Sequence, residues 1–436
     1  MKKTISLILA LTVIITSFAS FTISAQASSE KTYKSGGFKY YYSVKDNKVN
    51  INRILQTNRS KKTLNIPAKI SGKKVVTFNI DNMMYDENFC NFVTKVKIPS
   101  TVTKINGYNF QHNNINLKSI VVDSKNKNYK TVKGVLYSKD MKTLVKIPHA
   151  KKMKEYKVPK SVTFIDTESM SYLSAVKKIT INAPAKIDSM AVVGCTGLKT
   201  IFVGKKVKSI AYDSFGGYFT NSDLKTISVD KKNKKYASVD GVLYNKKKTT
   251  LIKCPAAKSY KNLKIAKTTK KITKQAFVGC YKLKGVTLPS GLTEIGADAF
   301  SSCSSLKSIN IPKKVKKVKQ YTFLYCQKLT SVKLPSSLKE IGYAAFEGCS
   351  SLKSITIPKS VKKLGGCAFQ DCTKLEKLTI KNKNLEIKKS AIPYIVTGFD
   401  DETWQDIIEY KVTIIAPKGS KAQAFAKKYG IKFKAL

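Results

Sequence analysis

Apolar residues recur with a strict period of 23 between Lys282 and Thr373, where one unit is repeated four times. In each unit, L-x-x-I-x-I-P alternates branched apolar residues with one polar residue, which predicts a short strand with one buried face. The proline ends this strand, because it cannot donate a hydrogen bond to a sheet. Next, V-x-x-I predicts a second buried segment, and A-F-x-x-C predicts a turn or short helix that closes the coil.

A fixed period of this length predicts a solenoid, in which each unit buries its apolar face only against its neighbours. Looser copies of the same columns continue on both sides, so we assign residues 61–390 to the repeat array. The predicted fold is mainly β with short turns or helices, and its parallel strands stack along a curved rod.

The I-P strand end, the G-x-x-A-F turn and the cysteine that closes the coil resemble the leucine-rich repeats of BspA-type bacterial surface proteins, the Treponema pallidum type. The match is best over five consecutive coils from Leu263 to Cys372. This resemblance implies a leucine-rich-repeat solenoid. It also implies a binding function, since the family includes proteins that bind host matrix glycoproteins such as fibronectin and fibrinogen, or other bacteria. No column of this sequence identifies such a site.

Residues 1–27 have the features of a secretory signal peptide. Lys2 and Lys3 precede a long apolar run, and Ala25-Gln26-Ala27 forms a small-residue cleavage site. An uncleaved membrane anchor is the alternative, because the apolar run is long for a signal peptide. We favour cleavage, which predicts a secreted or extracellular protein associated with a bacterial cell surface. No later segment is apolar enough to span a bilayer.

Both ends of the array are predicted to carry a cap. Residues 28–60 alternate apolar and polar positions around a turn at Asp46-Asn47, which predicts a β-hairpin over the first coil. In residues 391–436, Ser420 and Gln423 predict a capping box that starts a helix, and Gly430 is suited to its end.

Two insertions interrupt the array, near residues 122–155 and 229–262. Their 27-residue cores start at Val122 and Val229 and align without gaps. Each core predicts a hairpin that decorates one coil, from Gly134 to Val145 and from Gly241 to Ile252. The offset of 107 residues indicates that a block of several coils was copied as a unit.

Lysine dominates the charge of the chain. There are 81 Lys plus Arg against 27 Asp plus Glu, and only Arg53 and Arg59 are arginine. One interpretation is a surface that binds polyanions such as teichoic acid, acidic glycans, mucin or extracellular DNA. The other is a solvated face that keeps the protein soluble. Sequence-specific nucleic-acid binding is disfavoured, because no reading helix or stacking motif accompanies the charge. The candidate polyanion surface contains Lys313, Lys314, Lys316, Lys317, Lys319, Lys362 and Lys363.

Five of the nine cysteines are spaced 23 residues apart, at Cys280, Cys303, Cys326, Cys349 and Cys372. A column of this kind stacks its side chains in the core, where cysteine is a small apolar filler. Neighbours about 4.8 Å apart could form disulfides, but an odd number cannot all pair. We favour free, buried thiols. A metal site is disfavoured, because His112 and His149 are the only histidines and lack ligand spacing.

No catalytic motif emerges from the sequence. A Ser-His-Asp set, a zinc motif and a phosphate-binding glycine loop are all missing, so we predict no enzyme activity and no cofactor. The acidic group Asp400, Asp401, Glu402, Asp406 and Glu409 could hold a glycosidase pair or Ca²⁺. Alternatively, Asp401 and Glu402 occupy the first turn of a short helix, where its dipole favours them.

Two functions are consistent with these observations. The first is a secreted or cell-surface binding protein, adhesin-like, that mediates protein or glycan interactions at the bacterial surface. The second is a structural wall-associated protein that its lysines hold on anionic polymers. Candidate ligand contacts are Tyr281, Tyr321, Tyr325 and Tyr343, which could instead pack between coils.

Overall fold

The chain winds into a β solenoid, as the 23-residue period predicts. A computed structural model describes residues 30–80, 90–110, 116–217, 221–400 and 405–436. The predicted signal peptide, residues 1–27, lies outside these residues. Most coils contribute one strand to each of two faces and close through a third side made of turns.

The first face is built from the L-x-x-I-x-I segments, which pair in parallel. Their apolar columns stay in register, as where Ile309 lies opposite Val332 and Ile355 opposite Leu378. The strands of this face are β4 (Thr63–Asn65), β7 (Lys95–Ile98), β8 (Ser119–Val122), β12 (Glu155–Lys157), β14 (Lys178–Ile181), β16 (Thr200–Val203), β18 (Thr226–Val229), β22 (Leu263–Lys264), β24 (Val286–Thr287), β26 (Ser308–Asn310), β28 (Ser331–Lys333), β30 (Ser354–Ile357), β32 (Lys377–Ile380), β35 (Thr413–Ala416) and β36 (Phe433–Ala435).

The second face comes from the V-x-x-I segments, which form shorter parallel strands. Val318, Ile341 and Leu364 lie opposite one another and are buried. The strands are β13 (Phe164–Ile165), β15 (Lys186–Ile187), β17 (Ser209–Ile210), β23 (Lys271–Ile272), β25 (Glu294–Ile295), β27 (Lys317–Val318), β29 (Glu340–Ile341) and β31 (Lys363–Leu364).

The two insertions form the predicted hairpins, and the structure adds how they join the solenoid. In the first, β10 (Val135–Ser138) pairs antiparallel with β9 (Tyr129–Val132) and with β11 (Thr143–Lys146). β11 also pairs in parallel with β13, so the hairpin is part of the second face. The second copy repeats this order with β19 (Tyr236–Val239), β20 (Val242–Asn245) and β21 (Thr250–Lys253), which joins β23.

The A-F-x-x-C segments form turns that make a hydrogen-bond ladder along the third side. The Phe323 N–H donates to the Ala345 carbonyl at 2.8 Å, and the Phe346 N–H donates to the Ala368 carbonyl at 2.9 Å. The phenylalanine rings stack along this ladder, with centroids of Phe323 and Phe346 5.3 Å apart and ring planes within 9°. Each coil therefore contacts the next through both its main chain and its largest apolar side chain.

All nine cysteines are free, and the five at the 23-residue spacing are buried, which confirms the prediction. Four of these thiols also donate back to the phenylalanine carbonyl of the preceding coil, as from Cys326 Sγ to Phe300 O at 3.2 Å and from Cys349 Sγ to Phe323 O at 3.2 Å. Burial raises the pKa of Cys372 to about 12 and that of Cys326 well above its usual value. The four thiols from Cys303 to Cys372 are thus held protonated, and they have a bonding role beyond space filling.

At the N-terminal end, β2 (Phe38–Lys45) and β3 (Lys48–Gln56) form the predicted hairpin. Its turn residues Asp46 and Asn47 have φ of 51° and 57°, as a tight hairpin turn requires. β1 (Lys31–Ser35) adds a third antiparallel strand beside β2. On the other side, β3 pairs in parallel with β6 (Lys73–Phe78), which pairs antiparallel with β5 (Lys69–Ile70). The assignment of this sheet as a cap remains a prediction.

At the C-terminal end, α1 (Lys421–Lys428) confirms the predicted helix. The Gln423 N–H donates to Ser420 Oγ at 3.1 Å, and Gln423 Oε1 accepts from the Gly419 N–H at 2.7 Å. Two short 3₁₀ helices, η1 (Gly107–Phe110) and η2 (Lys389–Ala391), complete the helical content of the described residues. No helix anywhere in the described residues is long and apolar enough to cross a membrane.

The acidic segment near residue 400 forms a hairpin of β33 (Ile395–Asp400) and β34 (Gln405–Glu409). Asp400, Asp406 and Glu409 lie on these strands. Asp401 and Glu402, predicted to start a short helix, lie outside the described residues.

Candidate binding surfaces

The V-x-x-I segments place two outward-facing residues per coil between two buried ones, and so create two rows along the second face. The row nearer the second buried residue, here called the paired row, consists of Lys271, Glu294, Lys317, Glu340 and Lys363. Lysine and glutamate alternate in this row. Opposite charges on facing positions attract, so the row is close to neutral.

Ion pairs connect the members of the paired row. Glu294 contacts Lys271 at 3.0 Å and Lys319 at 2.7 Å, and Glu340 contacts Lys317 at 2.9 Å and Lys363 at 3.5 Å. These lysines hold the pKa of both glutamates below its usual value, chiefly through hydrogen bonds from Lys319 and Lys317. Three lysines of the candidate polyanion surface, Lys317, Lys319 and Lys363, are therefore already paired.

The neighbouring row, here called the lysine row, contains Lys270, Lys316, Lys339 and Lys362, with Thr293 in the remaining place. All four lysines are exposed. The main chain stacks them directly, because the Lys339 N–H donates to the Lys316 carbonyl at 2.8 Å and the Lys362 N–H donates to the Lys339 carbonyl at 2.9 Å. Among the described residues, no carboxylate forms an ion pair with these four lysines.

Four members of the candidate polyanion surface thus form no ion pair with a described carboxylate: Lys313 and Lys314, which are exposed at the preceding turn, and Lys316 and Lys362 in the lysine row. Lys339 was missed as a candidate. The sequence could have indicated it, because Lys339 lies 23 residues after Lys316 and 23 residues before Lys362.

Three of the four candidate tyrosines lie near Glu347 on the turn side of the coils, and we call them the tyrosine cluster: Tyr321, Tyr325 and Tyr343. The rings of Tyr321 and Tyr343 meet edge to face, with centroids 5.5 Å apart. Cys367 Sγ donates to Tyr343 Oη at 3.4 Å. Tyr343 is 46% exposed, whereas the other two are half-buried.

The remaining tyrosine behaves differently. Tyr281 Oη donates to the Ser222 carbonyl at 3.0 Å, and its side chain is half-buried. This contact ties two distant parts of the chain together, so Tyr281 has a packing role and lies apart from the tyrosine cluster. Tyr325 also packs, because a Cβ built on Gly348 would lie only 2.2 Å from its ring.

A carboxyl group with an altered pKa belongs to the tyrosine cluster. Burial and the nearby charge of Asp371 raise the pKa of Glu347 to about 7. Burial, followed by the charge of Glu347, raises the pKa of Tyr325 to about 12. The cluster therefore combines an exposed aromatic edge with a carboxyl that titrates near neutral pH.

An acidic patch occupies the corresponding corner of the earlier coils, and the sequence did not reveal it. Thr167 Oγ1 donates to Asp188 Oδ2 at 2.9 Å, and Ser189 Oγ donates to Asp213 Oδ2 at 2.7 Å. Burial raises the pKa of the adjacent Asp166 to about 6. Within the described ranges, no group of three acidic, cysteine or histidine side chains is placed to hold a metal ion.

Comparison with known proteins decides the family. The profile described as BspA type leucine rich repeat region matches the chain in 6 copies, over residues 76–132, 149–240 and 253–376. These ranges make up well over half of the 436 residues. The chain is a BspA-type leucine-rich repeat protein. The resemblance inferred from the I-P strand end and the A-F-x-x-C turn is thus confirmed.

The chain is also similar to bacterial proteins of known structure. The pneumococcal vaccine antigen PcpA is 21% identical with a TM-score of 0.55, over 93% of this chain and 99% of that chain. A leucine rich cell surface protein from Faecalibacterium prausnitzii is 22% identical with a TM-score of 0.48, over 91% of this chain and 97% of that chain. The Treponema pallidum leucine rich repeat protein is 21% identical with a TM-score of 0.32, over 47% of this chain and 97% of that chain. No curated protein sequence matches the chain.

Proposed function

We propose that this BspA-type protein is a secreted or cell-surface binding scaffold, adhesin-like, that contacts a protein or glycan at the bacterial surface. The observation that carries the proposal is the tyrosine cluster. Tyr343 leaves nearly half of its surface exposed although the coil core beneath it is complete without it. Tyrosine is a frequent anchor in protein interfaces, because it combines a large apolar ring with a polar end.

The cell-surface part of the proposal is supported by two observations. The predicted signal peptide at residues 1–27 would direct the chain out of the cytoplasm. The neighbours PcpA and the Faecalibacterium prausnitzii protein are described as a vaccine antigen and a cell surface protein. We extend this location to the present chain, as a bacterial surface or secreted protein.

Binding of residues 28–436 to an array of fibronectin, fibrinogen, mucin, acidic glycans, teichoic acid and DNA tests the proposal. We expect one ligand to remain bound at high salt, because a shaped contact does not depend on screened charge. Binding to every polyanion that disappears together in salt would contradict the proposal.

Substitution then localises the site. Tyr321→Ser combined with Tyr343→Ser should weaken the salt-resistant binding at least about tenfold, as at an interface hot spot. Tyr212→Ser is the matched control, since Tyr212 is exposed to a similar extent but lies outside the cluster. If the ligand contacts Glu347, binding should change around pH 7 and Glu347→Gln should remove that change. Equal effects of the cluster and control variants would remove the tyrosine cluster as the site.

A second function is favoured by the lysine row. We propose as the alternative that the protein is a structural, wall-associated component held on anionic polymers. Exposed charges attract over only about 10 Å at 0.1 M salt, so raised salt should release such a protein from cells. Retention that is independent of salt would count against this alternative.

A further inference from the structure

The two rows on the second face differ in charge: lysines are paired with glutamates in one row and stacked on one another in the other. The paired row neutralises each lysine with a glutamate one coil away, as at Lys317 and Glu340. The lysine row instead stacks Lys316, Lys339 and Lys362 on consecutive coils. Like charges directly opposite on neighbouring strands are destabilising. A repulsive row beside a neutralised row indicates that the missing negative charge comes from a ligand.

We propose that the lysine row binds a linear anionic polymer that lies along the solenoid axis and carries one phosphodiester per repeating unit. The proposal rests on the alternative function, retention on anionic polymers. It goes beyond that function by naming the residues, the direction of the polymer and the chemistry of its charge.

The geometry of the row fits an extended chain. Strands in neighbouring coils lie about 4.8 Å apart, so Lys316 to Lys362 covers about 10 Å and Lys270 to Lys362 about 19 Å. All four side chains are exposed. Each ammonium ends a flexible stem of four carbons, which allows phosphates at a somewhat different spacing to be reached.

The side-chain chemistry favours a phosphodiester. The charged residues of the row are all lysine, and arginine occurs in the chain only at Arg53 and Arg59. Lysine binds phosphate as a point charge, whereas bidentate recognition of either carboxylate or phosphate favours arginine. The row also lacks an aromatic residue on which a nucleic-acid base could stack. A flexible polymer of singly charged phosphodiesters, the chemistry of poly(glycerol phosphate), matches these features.

The test compares two triple variants of residues 28–436 with poly(glycerol phosphate) as the probe. The first is Lys316→Gln, Lys339→Gln and Lys362→Gln. The second is Lys284→Gln, Lys307→Gln and Lys353→Gln, which removes three exposed lysines from the same block at the start of the first face. Both variants lose the same charge, so they differ only in which row is changed.

We expect the first variant to bind about tenfold or more weakly at low salt, and the second to change less than about twofold. The slope of log affinity against log salt should fall by about 2 in the first variant, as for three lost phosphate contacts. Equal losses in both variants would overturn the proposed row, while salt-dependent retention of the protein on cells would still support the alternative function.

A gain of affinity provides a second test that misfolding cannot mimic. Glu294→Gln combined with Glu340→Gln releases the lysines of the paired row, so poly(glycerol phosphate) should bind more tightly by about threefold or more. Unchanged affinity would contradict a polymer that lies beside the paired row. Displacement by heparin, which carries sulfates and carboxylates but no phosphodiester, would overturn the phosphodiester class if it were as effective at equal charge as poly(glycerol phosphate) itself.

Discussion

The regular coils between Lys282 and Thr373 and the irregular coils between residues 143 and 217 build the same ladder with different side chains. In the regular coils, stacked phenylalanines fill the turn side. In one of the irregular coils, Met170 takes that place, yet its N–H donates to the Ala191 carbonyl at 2.9 Å and Cys195 Sγ donates to its carbonyl at 3.2 Å. The coil is thus defined by its main-chain bonds, and the aromatic stack is an addition to them.

The coils that carry insertions differ again, because they bury lysine. Lys253 Nζ donates to the Gly216 carbonyl at 2.6 Å and to the Gln275 carbonyl at 3.1 Å. Lys146, at the same place in the other copy, donates to the Glu168 carbonyl and to Ser171 Oγ, both at 2.8 Å. Where a hairpin enters the second face, a buried amine therefore donates to main-chain carbonyl groups of the turn side.

The largest effect is expected from the aromatic stack. Phe323→Ala should lower the free energy of unfolding by about 3–5 kcal/mol, because it removes a buried ring that contacts stacked rings on both sides. Met170→Ala should cost less, about 2 kcal/mol, since methionine has no stacked partner there. Denaturant unfolding of both variants measures the difference. Equal losses would show that the stack adds nothing beyond buried volume.

The next effect concerns the buried amine. Lys253→Met should cost about 1–3 kcal/mol, because two buried carbonyls lose their donor. Burial lowers the pKa of Lys253 from 10.5 to about 8. The unfolded chain then binds more protons between these values, so the wild type should gain stability relative to Lys253→Met as pH rises from 8 to 10.5. Parallel pH profiles of the two proteins would contradict the burial of the charge.

A smaller effect is expected from the thiol column. Cys349→Ala should cost about 1 kcal/mol, because it removes a small buried group and one weak donor to Phe323 O. Native protein should react with a thiol reagent mainly at Cys367, the one cysteine that is not buried, and unfolded protein at all nine. Cys367→Ser serves as the control that removes the native signal. Fewer than nine reactive thiols after unfolding would indicate disulfides.

The smallest effect tests the lysine row. Lys339→Glu should stabilise the free protein by about 0.2–1 kcal/mol, because it relieves repulsion from Lys316 and Lys362. The same change should weaken binding of poly(glycerol phosphate). Thermal unfolding and polymer titration of one variant therefore move in opposite directions. A variant that is both less stable and weaker in binding would point to a structural role.

The fold could be predicted because its columns repeat along the sequence itself. The 23-residue period alone was enough to predict the positions of the strands, the turns and the buried thiols. The sulfur hydrogen bonds could not be predicted, because the acceptor of Cys326 is the Phe300 carbonyl in another coil. The entry of β11 and β21 into the second face was also missed, since a hairpin pattern does not show which outer strand pairs further.

The candidate surfaces were predicted less completely, for two reasons. Outward lysines were treated alike, although the alternation at 271, 294, 317, 340 and 363 was visible once residues 23 apart were compared. The acidic patch had no such signal, because Asp166, Asp188 and Asp213 are separated by unequal numbers of residues in irregular coils. Their proximity arises from the winding alone.

The ladder on the third side has a direction. Every N–H of this kind donates toward the next coil, from Phe277 to Ala299, from Phe300 to Thr322 and onward to Phe369 and Ala391. The N–H donors on one side of a coil therefore match the carbonyl acceptors that the next coil presents, and this match repeats from coil to coil. A gene can lengthen such a protein by copying whole blocks, and the 107-residue offset between the insertions has the form of one such copy. Duplication or deletion of whole coils can thus change the length of the solenoid without changes to the core residues of the remaining coils.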